Sequence, residues 1–187
     1  LGFMPVKFGI SFNRTMLNQA GALVHVYTDG SVHLNHGGTE MGQGLHTKVI
    51  QIVADVFGLD VSRIRISTTT TGKVPNTSAT AASSGTDLNG MAALRAAETI
   101  KLRMADYLAK LYQSCADDID FSSGSVILPS GQSLSFSEAV NQCHMGRISL
   151  SSTGFYSTPE IHWDDNSLTG SPYYYFAYGA AISEVIV

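Results

Sequence analysis

A glycine-rich turn is the first segment of the chain whose residue types suit ligand binding. Gly37–Gly44 (GGTEMGQG) leads directly into a stretch with the hydrophobic spacing of a helix. A glycine turn at a helix start leaves backbone N–H groups and the positive end of the helix dipole for an anionic or polar ligand. Gln43 adds a side-chain amide that both donates and accepts hydrogen bonds. The segment therefore predicts a polar-ligand site, and a tight strand-to-helix turn that needs glycine is the alternative interpretation.

A second segment of small polar residues precedes a second helical pattern. Ser67–Thr86 contains 11 Ser or Thr among its 20 residues, and Lys73 is its single charged residue. Small side chains let a ligand approach the backbone closely, whereas a flexible linker would rarely run straight into a capped helix. Two such helix starts in one chain suggest a large, polar, phosphate-bearing cofactor that is held from two sides.

The nucleotide-binding and metal-binding alternatives fit less well. A Walker-type loop needs a lysine where Gln43 stands, and a dinucleotide fingerprint needs its third glycine where Thr47 stands. The six histidines include no His-His pair with the i, i+4 spacing and neighbouring Glu of a zinc hydrolase. We therefore predict no direct metal ligand in the chain and expect each histidine to be solvated or hydrogen-bonded.

The two segments must be positioned by strands and helices that the sequence pattern predicts. Asp29-Gly30 separates two β-branched stretches and predicts a hairpin, and helical spacing predicts a helix that begins within two residues of Gln43 and ends at Gly58. The other predicted elements are a strand at Arg63–Ser67, a long helix from about Leu88 to Tyr112 capped by Thr86 or Asp87, a surface loop at Asp117–Gly124, a helix with a capping box at Ser135–Cys143, and extended segments at Ile148–Phe155 and Tyr173–Val187. This order of elements predicts an α+β fold, a mixed sheet with packed helices, with a lobe boundary near residues 145–150.

Composition excludes several classes of function. A net charge of −4 with 14% charged residues excludes a polybasic nucleic-acid binder, and 44% hydrophobic residues argue against disorder. No apolar run approaches the roughly 20 residues that span a bilayer. The two cysteines, Cys115 and Cys143, are fewer than an iron–sulfur cluster usually takes. We expect a cytoplasmic protein, and the opening at Leu1 and the strand-like run at Ser183–Val187 suggest a segment of a longer polypeptide.

Both candidate segments also carry a resemblance to a known family. Gly37–Lys48 (GGTEMGQGLHTK) and Val74–Gly90 (VPNTSATAASSGTDLNG) resemble the molybdenum-cofactor portion of xanthine dehydrogenases, which belong to the molybdenum hydroxylases. The similarity continues at Lys7–Phe12 (KFGISF), Leu17–Ser31 (LNQAGALVHVYTDGS) and Thr153–Tyr156 (TGFY), and it is greatest to the separate molybdenum subunit of bacterial enzymes. It covers nearly the whole chain, and it implies the molybdopterin-binding fold of the family and a molybdenum–molybdopterin cofactor.

The resemblance implies roles for particular residues. Met41, Gly42 and Gln43 fall where the family contacts the molybdenum centre and the pterin, with the glutamine near an oxo ligand. The stretch that holds the pterin corresponds to Thr80, Ala81, Ala82, Ser83, Ser84 and Gly85, with Ala82 beside the metal and Gly85 where animal enzymes have a serine. Phe12 matches one of two phenylalanines that sandwich a flat purine, a role that suits an aromatic plane. Asn13 stands where animal enzymes have a threonine that touches the substrate.

The activity implied by the resemblance is the hydroxylation of purines, from hypoxanthine to xanthine to urate. Electrons would pass through iron–sulfur clusters to FAD and NAD on other domains or subunits of a hetero-oligomer. The family's general base lies in a Gly-x-Gly-Glu context that does not occur in this sequence, so we expect the chain alone to be inactive. An aldehyde or N-heterocycle oxidase and a non-catalytic cofactor-holding or interaction lobe are the alternatives, and no nucleic-acid or membrane contact is expected.

Overall fold

The computed structural model describes residues 1–74 and 76–186 and divides them among eleven strands and three α-helices. The strands are β1 (Gly2–Ile10), β2 (Gln19–Val26), β3 (Val32–His36), β4 (Ile64–Ile66), β5 (Asp120–Ser122), β6 (Ser125–Ile127), β7 (Ser133–Ser135), β8 (Ser151–Ser157), β9 (His162–Asp164), β10 (Thr169–Ser171) and β11 (Tyr175–Ser183). The helices are α1 (Leu45–Phe57), α2 (Gly85–Tyr112) and α3 (Phe136–Met145). The predicted α+β class is confirmed. Pro75 and Val187, which fall within predicted segments, lie outside the described residues.

A four-stranded mixed sheet in the order β4-β3-β2-β8 is the framework of the chain. β2 pairs antiparallel with β3 and β8, whereas β4 returns parallel to β3 after the crossover through α1. Alternate residues of β2 are buried, and this face packs against α2: Ala20, Ala22, Val24 and Val26. The period of two in the sequence thus places one face of the sheet in the core.

Strand β8 approaches α2 unusually closely. A Cβ atom on Gly154 would lie 2.0 Å from the carbonyl oxygen of Ala92 and 2.7 Å from the backbone nitrogen of Ala96. The facing side of α2 is correspondingly small and fully buried, with Ala92, Ala93, Ala96 and Ala97 each at 0% exposure. The alanine-rich helix therefore packs on the sheet through its backbone.

The helix ends follow the predicted chemistry at α1 and α3 but not at α2. Gly58 ends α1 in the left-handed conformation at φ 61, and Ser135 and Glu138 form the predicted capping box of α3. The prediction that Thr86 or Asp87 caps α2 is wrong. The helix begins at Gly85, and Ser84 precedes it without a side-chain capping bond.

Two predicted loops differ in detail from the observed ones. The hairpin turns at Asp29-Gly30 as predicted, but through a three-residue loop in which Gly30 N donates to Tyr27 O and Gly30 is left-handed at φ 78. The prediction of a surface loop at Asp117–Gly124 is wrong. Phe121 lies in β5 of a small antiparallel sheet with β6 and β7, and its side chain is 4% exposed because it packs into the main core.

β1 and β11 form a two-stranded antiparallel ribbon apart from the main sheet. Its apolar side chains are largely exposed, as at Phe3 (63%), Met4 (66%) and Ile182 (68%). Two hydrogen bonds tie the ribbon region to the start of α2: Ser11 N donates to Ala82 O at 3.4 Å, and the Tyr175 hydroxyl donates to Asp87 Oδ2 at 2.9 Å. The ribbon thereby holds the loop that carries Phe12 beside that helix.

Across the described residues, no helix combines the length and apolar character needed to cross a membrane.

Candidate functional site

The two helix starts singled out in the sequence lie side by side. Thr39 N donates to Thr80 Oγ1 at 2.8 Å, which joins the turn before α1 to the segment before α2. The two turns enclose a cleft of about 360 Å³ that is lined by Met41, Gln43, Leu45, Lys48, Thr80, Ala81, Ser83, Gly85 and Thr86. A cofactor held from two sides requires the two segments to lie together, as they do here, and the cleft brings together most of the residues expected to hold the cofactor.

The backbone donors of the first turn are already used by the chain itself. Glu40 Oε1 accepts from the N–H groups of Gly42 and Gly44 at 2.9 and 3.0 Å, and Oε2 accepts from His46 N at 3.0 Å. These backbone bonds hold the pKa of Glu40 below its usual 4.5. The expectation that this turn offers free N–H groups to a ligand is therefore wrong for these three donors, because Glu40 supplies the anion.

Gln43 is held against its own turn and remains partly available. Its Nε2 donates to Thr39 O at 2.8 Å, and its Oε1 accepts from Met41 N. An amide has two N–H donors and two lone pairs, so one donor and one acceptor of Gln43 remain for a ligand. The Met41 side chain is 67% exposed, and Gly42 (φ 97) borders open space, so the tip of this turn can be approached.

The second turn is strained, and the start of α2 that follows it has three backbone N–H groups without an acceptor in the described residues. Ala82 and Ser83 are consecutive left-handed residues, at φ 54 and 55, and this conformation costs energy for residues with a Cβ. The buried Ser84 hydroxyl donates to Ala81 O at 3.1 Å, so it stabilises the turn rather than facing the cleft. The backbone N–H groups of Gly85, Thr86 and Asp87 have no acceptor within residues 1–74 and 76–186. Strained backbone and free donors at a helix start fit an anionic, polar group.

An aromatic cleft adjoins the second turn. It measures about 610 Å³ and is lined by Lys7, Phe8, Gly9, Ser11, Phe12, Asn13, Ala82, Tyr173 and Phe176. Ala82 belongs to the pterin-holding segment, so the residues expected to contact substrate, Phe12 and Asn13, lie next to those expected to contact the cofactor. A cleft with aromatic walls suits a flat ring system.

Sequence reasoning missed some residues that line these clefts. Lys48 follows Gly44 by one helical turn and lines the first cleft, and the i, i+4 spacing could have revealed it. Tyr173 and Phe176 line the second cleft together with Phe12. The signal that could have found them is the aromatic run Tyr173–Tyr178, which was interpreted only as part of an extended segment.

Two histidines lie behind the first turn. His36 is 3% exposed, and its Nδ1 accepts from Gly38 N at 3.0 Å, so the prediction of a hydrogen-bonded histidine is confirmed here. Burial, and secondarily the charge of His46, lowers the pKa of His36 to about 4, so the ring is neutral near pH 7. Within the described part of the chain, no three His, Cys, Asp or Glu side chains are grouped to hold a metal ion.

Comparison with known proteins agrees with this geometry. The chain is 48% identical over 185 residues to a xanthine dehydrogenase/oxidase of Felis catus and 47% identical over 185 residues to a xanthine dehydrogenase of Oryza sativa subsp. japonica. Each match covers 99% of this chain but only 12% of the relative, so the chain spans about an eighth of these proteins.

Solved structures share the fold at low sequence identity. Quinoline 2-oxidoreductase from Pseudomonas putida 86 superposes with a TM-score of 0.74 at 20% identity, over 90% of this chain and 25% of that one. Reconstituted CO dehydrogenase from Oligotropha carboxidovorans gives a TM-score of 0.73 at 20% identity, over 96% of this chain and 22% of that one. A family model described as molybdopterin cofactor-binding domain matches residues 1–187. The chain therefore belongs to the molybdopterin cofactor-binding domain family.

Proposed function

We propose that this chain is the part of a purine-hydroxylating molybdenum oxidoreductase that holds the molybdenum–molybdopterin cofactor. The observation that carries the proposal is the meeting of two helix starts, one with free N–H groups on a strained turn, beside an aromatic cleft. When bound, the cofactor supplies the redox chemistry that hydroxylates a ring carbon. The residues of this chain would bind and orient the cofactor and the substrate, because they offer hydrogen-bond donors, aromatic surface and excluded volume.

The first turn would contact the cofactor through Met41, Gly42 and Gln43. Since the Glu40 carboxylate occupies three backbone N–H groups of this turn, its contribution would come from the remaining donor and acceptor of the Gln43 amide. The second turn would contribute backbone groups of Thr80, Ala81, Ala82, Ser83, Ser84 and Gly85. Lys48, which lines the same cleft, would add positive charge against an anionic group.

The aromatic cleft would hold the purine. Phe12 would stack on the flat ring, and Asn13 would offer an amide to polar ring atoms. The alternative of another N-heterocycle rests on the same lining, because four aromatic side chains border this cleft: Phe8, Phe12, Tyr173 and Phe176. In the full-length protein we expect a larger kcat/KM for xanthine than for quinoline or an aldehyde, and the opposite ranking would favour the corresponding alternative.

Parts of the machinery would lie outside this chain. We place the general base, the iron–sulfur clusters and FAD on other domains or subunits, with a lobe boundary near residues 145–150. The free thiols of Cys115 and Cys143 are typical of a reducing compartment and support the cytoplasm.

The cofactor-binding proposal can be tested at Gly85. A Cβ there would lie 3.4 Å from Thr80 Cγ2 and 3.6 Å from Leu45 Cδ2, so a side chain fits the fold. Gly85→Asp would place a carboxylate among the free N–H groups while favouring the first turn of α2. Gly85→Ser is the uncharged control, a smaller polar side chain that also suits a helix start.

We expect elemental analysis of the purified full-length Gly85→Asp protein to find less than about a tenth of the wild-type molybdenum, since a few kcal/mol of lost affinity suffices. Gly85→Ser should keep most of it. Equal molybdenum in folded Gly85→Asp and Gly85→Ser proteins would refute the placement of the cofactor at this helix start.

A further inference from the structure

A buried asparagine holds the backbone of Phe12 from both sides. Asn18 Oδ1 accepts from Phe12 N at 2.8 Å, and Asn18 Nδ2 donates to Phe12 O at 2.8 Å. The Asn18 side chain is 2% exposed, so water does not replace these bonds. We propose that Asn18 is a positioning residue that fixes the ring of Phe12 for stacking on the substrate. This inference rests on the proposed function, which places the flat substrate against Phe12.

Asn18 is itself anchored to the main sheet. Its N–H donates to Thr15 O at 3.0 Å, and its carbonyl accepts from Thr158 N at 3.0 Å, next to the end of β8. The following residue begins β2. Asn18 therefore links the loop that carries Phe12 to the four-stranded sheet.

The loop needs such an anchor because its backbone is strained directly before Phe12 and exposed directly after it. Ser11, directly before Phe12, is buried with a φ of 110, a conformation that persists only when surrounding contacts enforce it. Asn13 and Arg14, directly after it, are exposed. The two bonds from Asn18, together with Ser11 N to Ala82 O, thus set the ring of Phe12 relative to the second turn.

At neutral pH an amide satisfies both backbone groups, and an ionised carboxylate does not. An ionised Asp at position 18 would still accept from Phe12 N but would repel the carbonyl of Phe12, whereas a protonated Asp regains one O–H donor. Alanine removes both bonds. Without them the ring of Phe12 is free to sample several orientations, and the substrate must order it on binding. The cost should therefore appear in KM for a flat substrate more than in kcat.

The test is a double-mutant cycle in the full-length holoenzyme with xanthine as substrate. Asn18→Ala is expected to raise KM about tenfold, which corresponds to the net worth of one to two hydrogen bonds. In a Phe12→Ala background the same substitution should change KM less than about twofold, because the ring it positions is gone. Rates are normalised to bound molybdenum so that loss of folded enzyme does not enter the comparison.

A control lies one residue further along the chain, at the first residue of β2. Gln19 Nε2 donates to Met16 O at 2.7 Å, a bond of the same kind that does not touch Phe12. Gln19→Ala should leave KM unchanged. Asn18→Asp should show a raised KM near neutral pH that approaches the wild-type value as the pH is lowered and the carboxyl gains its proton.

The outcomes separate the inference from the function on which it rests. If Phe12→Ala raises KM but Asn18→Ala acts equally in both backgrounds, or Gln19→Ala acts as strongly, the positioning role is overturned and the proposed function stands. If Phe12→Ala itself leaves KM unchanged, the stacking role of Phe12 and the inference fail together.

Discussion

Single residues set the electrostatics of the two turns, and Glu40 has the clearest pH signature. Its three backbone hydrogen bonds keep its pKa below the usual 4.5 in the folded chain. A carboxyl with a lowered folded-state pKa stabilises the fold above its unfolded-state pKa and loses this contribution as the pH falls through the folded-state value. The contribution of Glu40 is therefore complete near pH 7 and declines below pH 4.5.

Glu40→Gln should lower the urea midpoint of the chain at pH 7, because a neutral amide cannot accept from three N–H groups. The difference from the wild type should shrink as the pH falls below 4.5. Glu98→Gln, on the exposed side of α2, is the control and should change little. A Glu40→Gln difference that is the same at about pH 3 as at pH 7 would contradict this account.

His36 predicts a loss of stability in a different pH window. The unfolded chain binds a proton below its ordinary pKa of 6.5, whereas the folded ring stays neutral until about pH 4. The free energy of unfolding should therefore decrease as the pH is lowered from 6.5 to about 4. The total decrease should be about 3 kcal/mol, at about 1.4 kcal/mol for each pH unit. NMR titration of the ring gives the direct measurement, and His36→Gln should remove the loss. A His36 ring that titrates near pH 6.5 would show the prediction to be wrong.

Secondary-structure elements meet most tightly where β8 crosses α2. Gly154→Ala would force a methyl group onto the backbone of Ala92, at 2.0 Å from its carbonyl oxygen, and backbone cannot move aside as a side chain can. Overpacking of this kind costs about 1–3 kcal/mol, and we expect the upper end in urea denaturation. Gly179→Ala in β11 is the control, since no atom lies within 4 Å of its added Cβ. Equal stability of the two variants would argue against the close packing.

The elements predicted correctly are those whose signals are local. The Asp29-Gly30 hairpin, the Gly58 helix end and the Ser135–Glu138 capping box each depend on a few adjacent residues. The three-dimensional contacts could not be predicted in this way. Phe121 enters the core through a short hairpin within a polar stretch, and the hydrogen bonds of Glu40 require the turn geometry to be known. Likewise, the bonds between Asn18 and Phe12 span a loop with no periodic pattern.

At the scale of the whole molecule, the chain exposes apolar surface and, under the proposed function, supplies only part of a site. We expect the purified 187-residue chain to retain no molybdenum cofactor and to hydroxylate nothing, because contacts supplied by other parts of the enzyme are missing, each worth about 0.5–1.5 kcal/mol. Elemental analysis and a xanthine assay with an artificial dye acceptor check this. Stoichiometric molybdenum with measurable turnover would overturn it.

The β1–β11 ribbon should make the isolated chain self-associate. Phe3 and Ile182 are register partners and are 63% and 68% exposed, so they form one apolar surface beside open strand edges. Replacing both with lysine should lower the apparent mass in sedimentation velocity at high concentration. Leu168→Lys, equally exposed at 69% but outside the ribbon, should not. Identical behaviour of the two variants would exclude the ribbon as the contact surface.

Because of the Glu40 carboxylate, the two turns that form the walls of the first cleft should respond differently when a cofactor binds. In the wall at Thr39–His46, the amides of Gly42, Gly44 and His46 are bonded to the Glu40 carboxylate, so this turn is held in place before a cofactor binds. In the wall at Thr80–Asp87, the amides of Gly85, Thr86 and Asp87 have no acceptor among the described residues and follow a strained backbone, and these amides are the ones that a bound anion would shield. Loading the full-length protein with cofactor should accordingly slow amide hydrogen exchange at Gly85–Asp87 while leaving Gly42, Gly44 and His46 nearly unaffected.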